Sequence, residues 1–171
     1  MSAPRRVAFL DRDGTLIHEP PETHQVDDTS LVRVLDGVVD GLLKLQRAGY
    51  SLVMVTNQDG LGTAAFPRDR FERPQKLLLD SLAEDGVRFD EVFVCPHTAE
   101  DGCGCRKPRL GLLEGFLERV AVDRAVSFVC GDRDSDRQLA RNLGVEFVAM
   151  ATNGHFGEVA QELERRGLME R

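Results

Sequence analysis

The sequence predicts an α/β fold with a Rossmann-like parallel sheet of about five strands and helices on both faces. Short apolar runs alternate with segments whose apolar residues recur at helical spacing, which is the pattern of consecutive βαβ units. The length of 171 residues suits one domain, and 42% hydrophobic residues can fill its core. We therefore expect residues 1–171 to form a single domain with no second unit.

Five apolar runs are the predicted strands of this sheet. A short apolar run bounded by turn or helix signals is typical of a strand buried inside a sheet. The runs lie near residues 7–10, 52–55, 92–95, 127–130 and 146–149.

Helical patterns fill the segments between these strands, and a last one follows at about residues 156–166. In the first helix Asp36 is the expected N-cap, and Gly49 lies past the end. The second helix follows Asp69 or Arg73 and has Pro74 in its first turn. The core-facing residues expected for the first four helices are Val38, Val39, Leu42, Leu43, Leu45, Leu77, Leu78, Leu82, Leu112, Leu113, Phe116, Leu117, Leu139, Ala140 and Leu143.

Charge and hydropathy argue against a nucleic-acid-binding protein and against a membrane protein. The net charge of -7 argues against a nucleic-acid-binding surface, which needs a basic stripe. No apolar run approaches the length of a membrane span. The N-terminal apolar run ends at Asp11, too early for a signal peptide. We therefore expect a cytoplasmic protein whose partner is a small molecule, rather than nucleic acid or a membrane.

Two carboxylates stand at the end of the first predicted strand, in the motif Asp11-Arg12-Asp13-Gly14-Thr15. At a strand tip one carboxylate can attack an electrophile while the other transfers protons. Gly14 permits a tight exit from the strand. The alternative is an Asp-rich β-turn without chemistry, because the same composition suits turns.

Polar residues also follow three other predicted strands. Thr56 and Asn57 follow the second, Arg106 and Lys107 lie beyond the third, and Asp132 follows the fourth. Right-handed crossovers bring the carboxyl ends of parallel strands to one edge, so we expect these residues near the first motif. Their hydroxyl, amide and cationic groups suit phosphoryl oxygens. Taken singly, they are also explained as a strand-end hydroxyl, solvated cations and a helix cap.

A loop after the third predicted strand carries the pattern Cys95-Pro-His97-x5-Cys103-Gly-Cys105. In a reducing compartment such cysteines are thiols or metal ligands rather than disulfides. Three thiolates and one imidazole form a closed tetrahedral set, which suits a structural Zn²⁺. The alternatives are three incidental cysteines or a redox pair at Cys103 and Cys105. Cys130 continues an apolar strand and is expected to be inert core.

Together these segments resemble the haloacid dehalogenase-like phosphatases and, within them, the histidinol-phosphate phosphatase family. The resemblance covers the chain to about residue 150. It rests on the segments FLDRDGTLI, EPP, QVD, TNQDGLGT, CPH-x5-CGCRKP and GDRDSD. It implies a fold without a large cap domain. The nearest alternative is the heptose 1,7-bisphosphate 7-phosphatase family, which shares the zinc loop and the catalytic motifs. That family has a longer spacer inside the loop and a different flap, the flap being the segment that follows the first motif.

In some bacteria the histidinol-phosphate phosphatase domain is fused ahead of imidazoleglycerol-phosphate dehydratase. This sequence ends at Arg171, so we expect the dehydratase partner to be absent, either because the gene stands alone or because the sequence is trimmed.

The resemblance also implies a mechanism. Asp11 attacks phosphorus and becomes an aspartyl-phosphate, while Asp13 protonates the leaving alkoxide and then deprotonates water. Mg²⁺ is expected on the Asp11 side chain, the Asp13 backbone oxygen and Asp132. Asp136 is expected to orient Lys107 or a metal-bound water. The residues expected to bind phosphate are Thr56, Asn57, Arg106 and Lys107.

Histidinol phosphate carries an ammonium and an imidazole, so its recognition calls for polar residues in the flap. Glu19 is the candidate partner of the ammonium, and Gln25 of the imidazole or the amine. A solvated loop acid is the alternative interpretation of Glu19. His24 stands where the family often places an aromatic residue that stacks on the ring. His18 and His155 are expected to be ordinary surface histidines.

Two other classes of protein share some of these features. A phosphorelay receiver also uses acidic residues, a Thr and a Lys on five parallel strands. It needs an acceptor Asp after the third strand, where this chain has Cys95-Pro96-His97. A non-catalytic zinc-loop interaction domain explains the cysteines but not the polar residues at the other strand ends.

Overall fold

A computed structural model describes residues 3–170 and contains one five-stranded sheet in which all strands are parallel. The strand order is β3-β2-β1-β4-β5. The predicted α/β class and the five predicted strands are confirmed, with ends that move by two residues at most. The strands are β1 (Arg6–Leu10), β2 (Tyr50–Asn57), β3 (Glu91–Cys95), β4 (Phe128–Gly131) and β5 (Glu146–Ala149).

Five α-helices and two short 3₁₀ turns connect the strands of the described chain. The helices are α1 (Val38–Arg47), α2 (Arg68–Glu84), α3 (Glu114–Arg119), α4 (Asp134–Leu143) and α5 (Phe156–Arg165). The 3₁₀ turns cover Thr29–Leu31 and Ala99–Asp101. No helix within residues 3–170 is long and apolar enough to cross a membrane.

The apolar side chains of each strand alternate between two cores, one on each face of the sheet. On β1, Ala8 and Leu10 belong to the core that α1, α2 and α5 cover. Val7 and Phe9 belong to the core that α3 and α4 cover. This alternation follows from the period of two along a strand, and both faces are apolar because helices cover both.

The starts of the first two helices differ from the prediction. The N-cap of α1 is Gly37, in the left-handed region at φ 81°, so Asp36 does not cap the helix. Helix α2 begins at Arg68, which places Pro74 in its interior instead of its first turn. The earlier start also brings Phe71 into the helix, where its side chain is buried.

Leu77 was predicted to face the core, but its side chain is 44% exposed, so that prediction is wrong. The buried positions of α2 form one stripe, and successive residues of a helix are about 100° apart around its axis. Leu77 therefore projects beside the stripe rather than along it. The buried residues of the stripe are Phe71, Pro74, Gln75, Leu78 and Leu82.

The sheet changes winding direction between β1 and β4. From β1 the chain proceeds through β2 to β3 on one side, and from β4 it proceeds to β5 on the other. A crevice forms outside the carboxyl ends of the strands at such a point, and ligands of open α/β sheets bind there.

Candidate active site

The first acidic motif forms a tight turn at the end of β1. The backbone N–H of Asp11 still donates to the Cys130 carbonyl of β4 at 3.0 Å, which fixes Asp11 at the winding switch. Gly14 follows at φ 80°, and a Cβ there would lie 2.6 Å from Asp132 Oδ2. The motif is thus both a tight turn and the end of a strand. The turn requires glycine because its backbone packs against the Asp132 carboxylate.

Lys107 reaches from the loop after β3 into the centre of this site. Its buried ammonium donates to Asp11 Oδ1 at 2.8 Å, to Asp136 Oδ1 at 2.8 Å and to the Val55 carbonyl at 2.7 Å. All three of its donors are therefore used. The predicted contact between Asp136 and Lys107 is present.

These contacts shift the pKa values of the three groups. Burial alone raises the pKa of Asp11, but the charge and hydrogen bond of Lys107 outweigh it and lower the pKa. Burial opposes the charge of Lys107, yet the two carboxylates raise its pKa. Burial, together with the negative charge of Asp11, raises the pKa of Asp136 to about 6. Asp11 is therefore held as an anion beside a fixed cation.

Asp13 is held by donors on both of its oxygens. Gln58 Nε2 donates to Oδ2 at 2.7 Å, and Arg12 Nε donates to Oδ1 at 3.1 Å. Gln58 also donates to Thr56 Oγ1 at 2.9 Å. Burial raises the pKa of Asp13 and outweighs the charge of Arg12, which lowers it, and the nearby charge of Asp11 adds to the rise. Asp13 is thus a carboxyl with a raised pKa beside Asp11, a carboxyl with a lowered pKa.

A cluster of three carboxylates can hold a cation. Ligand oxygens of Asp11, Asp132 and Asp136 lie within 4.8 Å of one another. Burial and the charge of Asp11 raise the pKa of Asp132 to about 7, so the cluster is strained by like charges. Thr152 donates to Asp132 at 2.7 Å and orients it. An all-oxygen donor set of this kind fits a hard divalent cation such as Mg²⁺.

Asn57 and Arg106 lie at the rim of the same site but already have protein partners. Asn57 Oδ1 accepts from the backbone N–H of Lys107 at 3.0 Å, so this side chain braces the loop that carries the lysine. Arg106 donates to the His97 carbonyl at 3.1 Å and pairs with Asp59. Both residues line the cavity described next.

A cavity of about 250 Å³ opens above these groups, and the flap between β1 and α1 forms one wall. Glu19 lies in that wall and is 2% exposed, so it is not a solvated loop acid. Its Oε1 accepts from His24 Nδ1 at 2.9 Å and pairs with Arg133. Its Oε2 is buried and has no hydrogen-bond partner within residues 3–170. Burying an acceptor without a partner is costly, which points to a donor that arrives from the cavity.

Two other flap residues also line the cavity. Gln25 is half-buried, and its amide donates to Asp27 Oδ2 at 3.2 Å. The His24 backbone adopts φ 54°, and its side chain is 63% exposed at the mouth.

The two remaining histidines differ from one another. His155, expected to be an ordinary surface residue, accepts from the Gly157 N–H at 2.9 Å and caps α5. His18 is half-buried in the flap.

The predicted zinc ligands come together in the loop after β3. Cys95 Sγ lies 3.7 Å from Cys103 Sγ and 3.2 Å from Cys105 Sγ, and His97 Nδ1 lies 3.1 Å from Cys105 Sγ. A tetrahedral Zn²⁺ with bonds of about 2.3 Å separates two sulfurs by about 3.8 Å, so the cluster fits this ion after a small expansion.

Two cysteines of the loop have opposite pKa shifts, since burial, together with the thiols of Cys105 and Cys103, raises the pKa of Cys95 to about 12. Desolvation opposes ionisation of Cys103, but the N–H groups of Arg106 and Cys105 outweigh it and lower its pKa to about 6. Cys130 is fully buried on β4, and burial raises its pKa well above the usual range. Cys130 is therefore inert core, whereas Cys103 is available as a thiolate.

Besides Thr152, three residues of the site were not among the predicted functional residues. They are Arg12 and Gln58, which hold Asp13, and Arg133, which pairs with Glu19. Each is adjacent in sequence to a predicted residue or motif. Adjacency was the only available signal, since their contacts arise from loop conformations.

Comparisons with known proteins agree with this geometry. Residues 6–152 match the family model described as polynucleotide kinase 3 phosphatase. The histidine biosynthesis bifunctional protein HisB of Legionella pneumophila (strain Lens) is 44% identical over 159 residues, which are 93% of this chain and 45% of that protein. HisB of Campylobacter jejuni subsp. doylei is 45% identical over 82% of this chain and 40% of its own. The chain thus spans under half the length of these curated relatives.

Two solved structures of similar fold are D,D-heptose 1,7-bisphosphate phosphatases. The B. bronchiseptica protein, complexed with magnesium and phosphate, has a TM-score of 0.79 and 25% identity over 94% of this chain and 99% of that chain. The Burkholderia thailandensis protein has a TM-score of 0.56 and 26% identity over 82% of this chain and 75% of that chain.

The fold and the site together define a phosphatase of the haloacid dehalogenase-like class, which confirms the resemblance seen in the sequence. The chain belongs to the polynucleotide kinase 3 phosphatase family, whose model covers it from β1 to just beyond β5.

Proposed function

We propose that this chain hydrolyses histidinol phosphate to histidinol and inorganic phosphate in the cytoplasm. The observation that carries the proposal is Glu19, which lines the cavity together with Asp11 and Asp13 and whose buried Oε2 has no hydrogen-bond partner in residues 3–170. Relatives at 44–45% identity that are named for histidine biosynthesis support it.

Asp11 is the proposed nucleophile. Its carboxylate oxygen attacks phosphorus, and the bond from phosphorus to the ester oxygen breaks, which leaves an aspartyl-phosphate. The chain keeps Asp11 anionic, because Lys107 lies 2.8 Å from it. Lys107 and Thr56 line the cavity beside it and stabilise the charge of the phosphoryl oxygens.

Asp13 is the proposed acid and base. Burial raises the pKa of its carboxyl, which favours donation of a proton to the departing alkoxide. The resulting carboxylate then takes a proton from the water that attacks the aspartyl-phosphate. Phosphate leaves and both carboxyls return to their starting states. Two carboxyls with opposite pKa shifts thus divide the two tasks.

Asp11, Asp132 and the backbone oxygen of Asp13 are the proposed ligands of Mg²⁺. When bound, this cation neutralises charge between a carboxylate nucleophile and a phosphate dianion. Asp136 has Lys107 as its partner at 2.8 Å and is proposed to orient it. The Cys95, His97, Cys103 and Cys105 cluster is the proposed structural zinc site, and it supports the loop that carries Arg106 and Lys107.

Glu19 is the proposed partner of the substrate ammonium. One of its oxygens is engaged by Arg133 and His24, which leaves the other for a cationic donor. Gln25 lines the same cavity and is proposed to bond the imidazole or the amine. Asn57 and Arg106, at the opposite rim, are proposed phosphate-binding residues.

A heptose 1,7-bisphosphate is the second candidate substrate. The B. bronchiseptica phosphatase of that name superposes over almost its whole length. Arg133 and Arg106 at the cavity can bind a second phosphate group. Glu19, however, places a carboxylate in the same wall, where a second phosphate would meet like charge.

A panel of phosphate esters tests the proposal. Phosphate release from histidinol phosphate, heptose bisphosphate and an oligonucleotide 3′-phosphate is measured with Mg²⁺ and with EDTA. We expect a kcat/KM for histidinol phosphate at least about tenfold above the others, a gap that needs about 1.4 kcal/mol of differential transition-state binding. Preference for either of the other esters would overturn the substrate, and no metal-dependent release from any ester would overturn the activity.

A further inference from the structure

We propose that Arg12 is a positioning residue that aims the Asp13 carboxyl at the leaving group. The proposal deepens the proposed function, on which it rests, because it assigns a task to a residue between the two acidic side chains. Arg12 is 0% exposed and is not among the residues that line the cavity, so it acts through Asp13 and not on the substrate.

The Arg12 side chain is fixed by three contacts from two directions. Its Nε donates to Asp13 Oδ1 at 3.1 Å, and its Nη1 donates to Gln75 Oε1 at 3.1 Å. Its guanidinium carbon lies 4.9 Å from the centre of the Phe71 ring. Phe71 and Gln75 are four residues apart on α2, so their side chains lie on the same face of the helix. Helix α2 thus holds the guanidinium, and the guanidinium holds Asp13.

Arg12 and Gln58 together define the orientation of Asp13. Arg12 holds Oδ1, and Gln58 Nε2 holds Oδ2 at 2.7 Å. With a donor on each oxygen, the carboxyl plane cannot rotate without breaking a bond. A misplacement of about 1 Å at a reacting group can cost a factor of about 10² in rate, so this restraint has a direct kinetic value.

A guanidinium at this buried position leaves one of its nitrogens without a partner among the described residues. The Nη2 of Arg12 is buried without a hydrogen-bond partner in the described part of the chain. An apolar side chain of similar volume would fill the space without stranding a donor. Arg6 is the matched control, because its Nε is also buried without a partner in residues 3–170, but its guanidinium donates to the Ala48 carbonyl at 3.0 Å and to the Leu168 carbonyl at 2.7 Å, and Arg6 does not line the cavity. Arg12 differs from it by its contact with Asp13.

The test compares Arg12→Met with Arg6→Met on two esters. Histidinol phosphate has a poor leaving group that needs a proton, whereas p-nitrophenyl phosphate has a good one that does not. For Arg12→Met we expect kcat/KM to fall at least about tenfold for histidinol phosphate and less than about threefold for p-nitrophenyl phosphate. The inhibition constant of inorganic phosphate should stay within about twofold, since Arg12 does not line the cavity.

Matched variants make every outcome decisive. Arg6→Met should lower the thermal midpoint but leave the ratio of the two esters unchanged. Arg12→Lys, which keeps a cationic donor, should recover part of the loss. If Arg12→Met does not fold, Gln75→Leu removes the partner of Nη1 and should show the same selectivity at about threefold. Equal losses on both esters, or no loss on either, would overturn the positioning role.

The Asp13→Asn variant separates this proposal from the proposed function. If Asp13→Asn is selective for the ester with the poor leaving group and Arg12→Met is not, only the positioning role fails. If Asp13→Asn itself shows no such selectivity, the acid role of Asp13 fails, and the role of Arg12 fails with it.

Discussion

Lys107 joins three elements through one ammonium group, since it contacts Asp11 after β1, the Val55 carbonyl of β2 and Asp136 of α4. A buried cation of this kind is stable only because two carboxylates compensate its lost hydration. The sequence predicted Lys107 and Asp11 because parallel strands bring their carboxyl ends together. It did not predict the Arg133–Glu19 pair, because that contact depends on how the flap folds over α4.

At the same scale, Glu19→Gln tests recognition of the ammonium. The amide keeps an acceptor for Arg133 but removes the charge that pairs with the substrate. We expect kcat/KM for histidinol phosphate to fall at least about tenfold, as for the loss of a charge-assisted hydrogen bond of about 1.4 kcal/mol or more. The control is p-nitrophenyl phosphate, which has no ammonium and should change less than about threefold. An equal loss on both esters would make Glu19 a structural member of the flap.

Among the elements, the loop after β3 stands apart because it has almost no regular structure of its own. Four ligand side chains gather within it, and their mutual distances fit one tetrahedral ion. The sequence predicted this set because soft ligands at close spacing rarely serve another purpose together. Bound metal would replace the apolar core that the loop lacks.

Zinc content is therefore a prediction about this loop. Protein purified under reducing, chelator-free conditions should contain about one equivalent of zinc per chain. Cys103→Ser should lower the zinc content. It should also lower the thermal midpoint, by about 2–4 °C for each kcal/mol of unfolding free energy that is lost. Cys130→Ala, in the core of β4, should keep the metal. Zinc-free wild-type protein, or zinc lost equally from both variants, would contradict the site.

The helices could be predicted as elements, but their contacts with one another could not. Gly41 of α1 is buried where a Cβ would lie 2.5 Å from the Phe156 ring of α5. Nothing in the pattern of α1 shows this, because the partner lies more than a hundred residues away in sequence. The same reason explains the exposed Leu77, since which apolar residue faces inward depends on where the helix docks.

Gly41→Ala and Gly115→Ala form a matched pair on two helices. Gly41→Ala forces a methyl group against Phe156 and should destabilise the fold by about 1–3 kcal/mol. Gly115 of α3 faces open space, so Gly115→Ala should stabilise it by about 0.4–1 kcal/mol. Urea unfolding measures both. Equal effects of the two substitutions would show that α1 and α5 do not approach as closely as the structure shows.

At the scale of the whole molecule, the doubly wound topology explains why residues from four strand ends share one cavity. The order β3-β2-β1-β4-β5 places β1 at the centre, so the nucleophile lies between groups supplied from both sides. Alternation of apolar runs and helical patterns was sufficient to predict the class of this fold. The flap and the zinc loop lie outside that alternation, and for them the sequence predicted ligands and candidates but not conformations.

The measurement that tests the central claim most directly is a search for the aspartyl-phosphate on Asp11. Protein is mixed with Mg²⁺ and p-nitrophenyl phosphate that carries radioactive phosphorus, quenched in acid during turnover, and digested. Asp13→Asn is included because loss of the proposed base should slow hydrolysis of the intermediate and let it accumulate. We expect hydroxylamine-sensitive label on the peptide that contains Asp11 and none in Asp11→Asn, which should also lose turnover. Metal-dependent turnover by the wild-type protein, with no label on it or on Asp13→Asn, would contradict covalent catalysis by Asp11.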